Sequence, residues 1–347
     1  MEPTTRRSPT RAAVAIQLAD KVAFLKRPES YPERPAAVEP VETHLAWVFL
    51  TDRHAFKLKK PVRYPFLDFS TRSARHHDSE EEVRLNLRLA PGVYLEVVPL
   101  TVDREGRLGL GAEGVPVDWL VKMRRLPRQR MLDFAIAAQT VDGAALHAVA
   151  ERLARFYREA APAALTPAAY RQRLGDELDA DARSLAERRY ALPADVTGRT
   201  AATLRRFIEL RAPWLDARVL AGRIVEGHGD LRPEHVWLGP PVVVIDCVEF
   251  SREFRILDPA DELAYLGMEC ERLGAPLVGP TLLAQYVALT GDDPPEDLIH
   301  FYQGVRALLR AKLAAWHLDD RMVSYPSQWF NRACAYVALA AQHAGQM

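Results

Sequence analysis

Two short apolar runs, Val236-Trp237-Leu238 and Val242-Val243-Val244-Ile245, interrupt a stretch of sequence that otherwise reads as helical. Each has an aspartate at a set place beside it. The first follows the loop His228-Gly229-Asp230-Leu231-Arg232-Pro233-Glu234-His235, and the second ends directly on Asp246, sixteen residues after Asp230. Few folds need a loop Asp, two brief β runs and then a strand-end Asp in that order. Phosphoryl transfer from a nucleotide does: one carboxylate orients or deprotonates the attacking hydroxyl, while the other holds the magnesium that neutralises phosphate oxygens. His-Gly-Asp and Ile-Asp each occur by chance, so the order and spacing carry the signal.

The surrounding pattern divides in two. Residues 1 to about 12 are polar and proline-bearing and read as disordered. A helical stretch follows at 13–26, and Pro28 to Pro40 reads as a linker. From Thr43 the pattern is β: 45–50 and 54–59 flank Thr51-Asp52-Arg53 as a hairpin turn. A charged helix is expected over 73–89, then strands at 94–100, 108–110 and 117–123. Beyond residue 126 helices dominate, at 144–159, 167–187, 199–211, 261–273, 281–289, 296–318 and 327–344. The fold class expected is α+β, with a lead-in at 1–40, a small β-rich part at 41–123 and a larger, mainly helical part at 124–347.

Bulk numbers exclude several classes. Lys plus Arg and Asp plus Glu are both 46, so the net charge is zero, and a nucleic-acid binder held by a general basic field is not expected. No apolar run reaches bilayer length and no signal-peptide pattern opens the chain, so a soluble cytoplasmic protein is expected, with no membrane partner. Cys247, Cys270 and Cys334 show no CxxC spacing, which suggests neither zinc nor a disulfide framework. No Walker A sequence is present, which argues against a P-loop ATPase.

The segment around Asp230 and Asp246 resembles the aminoglycoside phosphotransferase-like branch of the protein-kinase-like fold, whose loop reads His-Gly-Asp, four residues, then Asn, with the metal Asp following a strand as Ile-Asp. The resemblance is closer to an uncharacterised subgroup through Thr43-His44-Leu45-Ala46-Trp47-Val48-Phe49-Leu50, Phe56-Lys57-Leu58-Lys59-Lys60-Pro61-Val62, Phe66-Leu67-Asp68-Phe69-Ser70 and Ile245-Asp246-Cys247-Val248-Glu249-Phe250. It spans roughly residues 40 to 320. Relatives of this subgroup can carry a P-loop domain behind the kinase-like one, and none is expected within these 347 residues.

The resemblance implies a two-lobed fold, ATP and Mg2+ as cofactors, and a small-molecule hydroxyl as acceptor. Asp230 would be the catalytic base, with His228 beside it in a structural role. Asp246 would bind the metal, with Glu249 near enough to contribute through water. Lys57 resembles the strand lysine that meets nucleotide phosphates. Lys59 points the same way in a strand of period two and could serve instead. Glu82, before Glu81, suits the helix carboxylate that holds that lysine. Met123 and Arg124 open the hinge segment, where backbone groups usually hold adenine.

Two departures stand out. His235 occupies the place of the Asn that is the second metal ligand, and imidazole is a poor ligand for a hard cation. Either Glu234 or water replaces the oxygen, or the site runs on one metal, or catalysis is impaired. The glycine-rich phosphate loop is also missing, with Glu42-Thr43-His44 in its place. A nucleotide-binding pseudokinase acting through protein contacts therefore stands as an alternative, as does transfer of phosphate or AMP to a protein. Arg306 and Arg310, four apart on one helix face, could meet an anionic or polyhydroxy acceptor, though a solvated surface helix is the reading preferred. Asp176-Glu177-Leu178-Asp179-Ala180-Asp181 reads as a solvated acidic face, and Asp261 as a helix N-cap.

Overall fold

Along His54–Lys59 every second residue is apolar, so Phe56 and Leu58 turn to one side of the strand while Ala55, Lys57 and Lys59 turn to the other. That alternation organises the first of two compact units in the computed structural model, which describes residues 16–64, 66–319 and 325–347. The segment 1–12 read as disordered lies outside the described residues. One unit comprises residues up to Val83 together with Gly92–Arg125; the other comprises Arg84–Pro91 and Leu126–Met347.

The first unit contains α1 (Leu18–Leu25), β1 (Glu39–Glu42), β2 (Ala46–Leu50), β3 (His54–Lys59), a two-residue ribbon β4 (Arg63–Tyr64) and β5 (Leu67–Asp68), α2 (Arg72–Asn86), β6 (Tyr94–Val102), β7 (Leu108–Leu110) and β8 (Val115–Arg124). Its sheet has the order β1-β2-β3-β8-β6-β7, every neighbour antiparallel. Phe56 and Leu58 join Phe49, Leu100, Leu110 and Leu120 in a core closed by Val22, Leu25 and Tyr31. The stretch expected as a lead-in thus contributes core residues, because α1 has an apolar face that the sheet covers. Pro28 to Pro40, expected as a linker, ends in the edge strand β1, where a proline costs no ladder bond that a neighbour needs. The buried carboxylate of Asp118 on β8 ties both helices to the sheet, through Lys21 of α1 at 2.7 Å and the fork of Arg75 of α2 at 2.9 Å.

The second unit is mainly helical: α3 (Leu132–Ala137), α4 (Gly143–Glu159), α5 (Pro167–Leu185), α6 (Ala194–Leu210), α7 (Ala212–Leu220), then α8 (Pro259–Arg272), α9 (Val278–Thr290), α10 (Glu296–Trp316) and α11 (Pro326–Ala344). Between α7 and α8 lie two ribbons, β9 (Val225–Glu226) paired with β12 (Ile256–Leu257), and β10 (Val236–Trp237) paired with β11 (Val243–Val244). Local chemistry sets several starts. Asp142 and Thr166 cap α4 and α5, and Pro167 and Pro259 sit in first turns where a missing N–H is harmless. Asp258, whose carboxylate accepts from the Ala260 amide, is the N-cap of α8, one turn earlier than the Asp261 expected for it. One core gathers α5, α6, α8, α10 and α11 around Tyr170, Leu204, Phe301 and Tyr336. A second gathers α4, α8 and α9 around Leu153, Leu266 and Tyr286, and includes Leu231, Val236 and Val244 from the ribbon segment. The α+β class is as expected from sequence, an antiparallel sheet in one part and a larger helical part in the other.

Candidate active site

The ribbon β10–β11 sets the two aspartates. Val236 pairs with Val244 and Trp237 with Val243, and the Ile245 amide donates to the His235 carbonyl at 2.9 Å. The loop carrying Asp230 and the turn carrying Asp246 therefore leave the same end of one ribbon. A second strap runs beside it, where the Val248 amide donates to the His228 carbonyl at 3.1 Å.

Glu262 of α8 holds the loop from behind. Its fully buried carboxylate accepts from the amides of His228, at 2.9 Å, and Gly229, and from the Tyr157 hydroxyl at 2.9 Å. Burial pushes this carboxyl up, and the three donors work against that rise. Two glycines make room. Gly229 has φ +89, a conformation that side chains disfavour. At Gly227 a Cβ would stand 2.5 Å from a Glu262 carboxylate oxygen. Asp261, expected as a helix N-cap, pairs instead with Arg306 at 2.7 and 2.5 Å.

His228 is fully buried and engaged on both nitrogens. Nδ1 accepts from the Asp230 amide at 3.3 Å, which leaves Nε2–H to donate to the Ile245 carbonyl at 2.9 Å. Burial, with His235 nearby, lowers its pKa to about 4, so it stays neutral. It is a spacer between the loop and β11.

Asp230 is 27% exposed. Burial alone would raise its pKa, but Arg232, followed by His235 and Arg310, holds the carboxyl well below the usual carboxylate range. The Tyr265 hydroxyl donates to Oδ1 at 3.0 Å, and Arg232 Nε stands 2.9 Å from the same oxygen. The guanidinium of Arg232 also pairs with Glu234 and donates to His235 Nε2 at 3.2 Å. His235 Nδ1 lies 2.8 Å from the Asp230 carbonyl, a contact that only a protonated Nδ1 satisfies, so Nε2 carries the lone pair that accepts from Arg232. Nε2 is also 3.5 Å from Asp246 Oδ2. The histidine standing where Asn was expected thus braces the loop through the Asp230 carbonyl and Arg232, and stands beside the second aspartate.

Asp246 has a left-handed backbone, φ 61, which Asp tolerates better than most residues, and its side chain is 46% exposed. Behind it, the Cys247 amide donates to Asn86 Oδ1 at 3.0 Å, and the buried Cys247 thiol, pushed up to about 12, donates to the His228 carbonyl at 3.2 Å. The Glu249 carbonyl accepts from Arg255 at 3.2 Å. Among the described residues no group of three or more His, Cys, Asp or Glu side chains is gathered to hold a metal by itself.

In the first unit, the strand period brings both lysines to one carboxylate. Glu82 of α2, fully buried, bonds Lys57 at 2.8 Å and Lys59 at 2.7 Å, and Lys59 also pairs with Asp78 at 2.7 Å. Lys59 is 1% exposed and Lys57 16%. Met123 and Arg124 close β8, opposite Ala55 and His54, and the Arg124 amide donates to the Val93 carbonyl at 2.8 Å. The region without glycine is the β1–β2 turn, fastened by Thr43, whose hydroxyl and amide bond Ala46.

No family model matches the chain. Uncharacterised proteins of Mycobacterium tuberculosis and Mycobacterium bovis are 36% identical over 285 residues, covering 78% of this chain and 53% of theirs. The chain spans about half the length of the curated relatives it matches. Among solved structures, choline kinase from Cryptosporidium parvum is similar with a TM-score of 0.57, over 94% of each chain at 9% identity. A choline/ethanolamine kinase family protein from Mesorhizobium loti gives 0.51 over 94% of this chain and 99% of that one, at 17% identity. The GDP complex of aminoglycoside 2′-phosphotransferase-IIIa gives 0.50 over 89% and 93%, also at 17%. The chain has the fold of these kinases.

Within this kinase-like fold, several of the residues around Asp230 carried no signal in the sequence. Arg232, Tyr265 and Glu262 reach it through packing of α8 against the loop. Arg306 and Arg310, expected on a solvated face, are instead half-buried, Arg310 bonding Glu269 at 2.9 Å. In the acidic stretch of α5, Asp176 and Glu177 are exposed as expected, but Asp181 is buried against Lys312.

Proposed function

We propose that the chain transfers the γ-phosphate of ATP to a hydroxyl group of a small molecule. One observation carries the reading: an ionised Asp230, with Oδ1 taken and Oδ2 reached by no hydrogen bond from the described residues, leaves the same ribbon as a half-exposed Asp246. A carboxylate held this far down is a weak base. It suits orienting a hydroxyl and taking its proton late, as the bond to phosphorus forms, which is what a loose phosphoryl-transfer transition state asks for.

Mg2+ fits Asp246. A hard cation takes a carboxylate oxygen, and one protein carboxylate suffices when phosphate oxygens and water complete the octahedron. With both nitrogens of His235 engaged, its part is to steady the loop, and Glu234 or Glu249 would reach a cation through water. When bound, the ion supplies charge neutralisation at the phosphates. Lys57, the more exposed of the two lysines on Glu82, would carry phosphate charge from the first unit, and the Met123–Arg124 segment would meet adenine.

Mg2+-dependent ADP release against a panel of sugars, amino alcohols and aminoglycosides tests this. Acceptor-dependent release should fall roughly 100- to 10,000-fold in Asp230→Asn, and retained turnover there would overturn the proposal. ATP binding without transfer to any acceptor would favour the pseudokinase reading, to which His235 and the glycine-free turn lend weight. Label followed from the α- and γ-positions separates AMP transfer from phosphoryl transfer.

A further inference from the structure

We infer that Tyr265 is a positioning residue that fixes which oxygen of Asp230 meets the acceptor hydroxyl; this rests on the phosphotransfer reading above. Tyr265 projects from the middle of α8 and is almost fully buried, with its hydroxyl 3.0 Å from Asp230 Oδ1. Burial and the Asp230 charge hold that hydroxyl protonated far above ordinary pH, so it donates.

Arg232 Nε is as near to the same oxygen, at 2.9 Å, yet it makes no hydrogen bond: the approach is off line. Arg232 therefore supplies charge, and Tyr265 supplies direction. Direction matters because the last torsion of an aspartate is broad and nearly two-fold. A carboxylate in a purely electrostatic field can exchange its oxygens and swing its plane. With Oδ1 anchored on Tyr265, Oδ2 keeps its place, 3.8 Å from a His235 nitrogen whose proton is committed to the Asp230 carbonyl.

The ring itself is held. The Arg306 guanidinium lies over it at 5.2 Å and is locked in turn by its two bonds to Asp261. One turn further along α10, Arg310 is fastened to Glu269 and Tyr336. The face of α10 that bears these arginines thus buttresses the tyrosine that aims the aspartate.

The test compares wild type with Tyr265→Phe, which keeps the ring and removes the donor. Four quantities are read: kcat, KM for ATP and for acceptor, the ratio of ADP formed to acceptor phosphorylated, and the unfolding midpoint. A misaimed Asp230 slows transfer to a bound acceptor, whose hydroxyl is fixed, more than attack by water, which can reorient. We therefore expect kcat for transfer to fall about tenfold, both KM values to stay within about twofold, and the ADP-to-product ratio to rise. Unchanged kcat and ratio in a folded variant would remove the inference while leaving the phosphotransfer reading standing. A parallel fall of transfer and water attack with a lowered midpoint would assign Tyr265 a structural part only, and also overturn it. If the wild type transfers nothing to any acceptor, the reading fails first and the inference with it.

Discussion

His228 shows what a single residue in this site is made to do. Its folded pKa of about 4 lies below the ordinary 6.5, so between those values the unfolded chain takes up a proton that the folded chain refuses. Stability from this residue is therefore full above pH 6.5 and lost as pH falls toward 4, an effect on the order of 3 kcal/mol. The unfolding free energy of wild type relative to His228→Gln should shrink across that window; a difference independent of pH would contradict the buried neutral imidazole. At this scale the sequence was legible where chemistry needs a fixed local order. Asp230 and Asp246 are brought to one end of a ribbon by two short β runs that can be seen in the text of the chain. Tyr265 and Glu262 were not legible, because their positions depend on the angle at which α8 meets a loop more than thirty residues earlier. Arg306 and Arg310 misled because a four-residue spacing reports a shared face and says nothing about what covers it.

At the scale of elements, β3 and α2 form the most exact match between pattern and contact. A strand period of two put Lys57 and Lys59 on one side, and an apolar residue three positions after Glu82 set that glutamate's face. The structure adds the inequality between the lysines. Glu82→Gln removes one carboxylate from the buried Lys59, which keeps its pair with Asp78, and should cost about 3 kcal/mol. Lys57→Met, at a partly exposed site, should cost under about 1 kcal/mol. Denaturant unfolding of the two variants checks the order, and equal losses would mean that Glu82 is held mainly by Lys57. Elements with weak patterns escaped: β1 hides among prolines, and α7 has a proline in its first turn directly after α6, so both looked like breaks.

For the molecule as a whole, the two units differ in construction, one an antiparallel sheet closed by helices and the other helices around two ribbons. The sequence shows a change of period near residue 126, but not the placement of 84–91 with the helical unit, since the helix that contains its start runs unbroken across the boundary. No described helix is long and apolar enough to cross a membrane. If Mg2+-ATP binds as proposed, mass action should raise the apparent melting temperature, by an amount equivalent to about 2.7 kcal/mol at a hundredfold excess over Kd. Asp246→Asn should lose the Mg2+-dependent part of that shift. A shift that is the same with and without Mg2+ would remove Asp246 from the metal's keeping.

Gly227 is not among the groups proposed to meet substrate, yet a side chain there has no room unless Glu262 and Leu257 shift. The space a methyl would need is already filled by the carboxylate that holds two loop amides and a tyrosine hydroxyl. Gly227→Ala would act as a wedge driven in from the rear, shifting Glu262 and loosening the loop that carries Asp230. Turnover should drop by at least about tenfold with the aspartates, the lysines and the sheet unit all intact, as kcat beside an unchanged Mg2+-ATP melting shift would show. A fold of this kind can be silenced from its blind side.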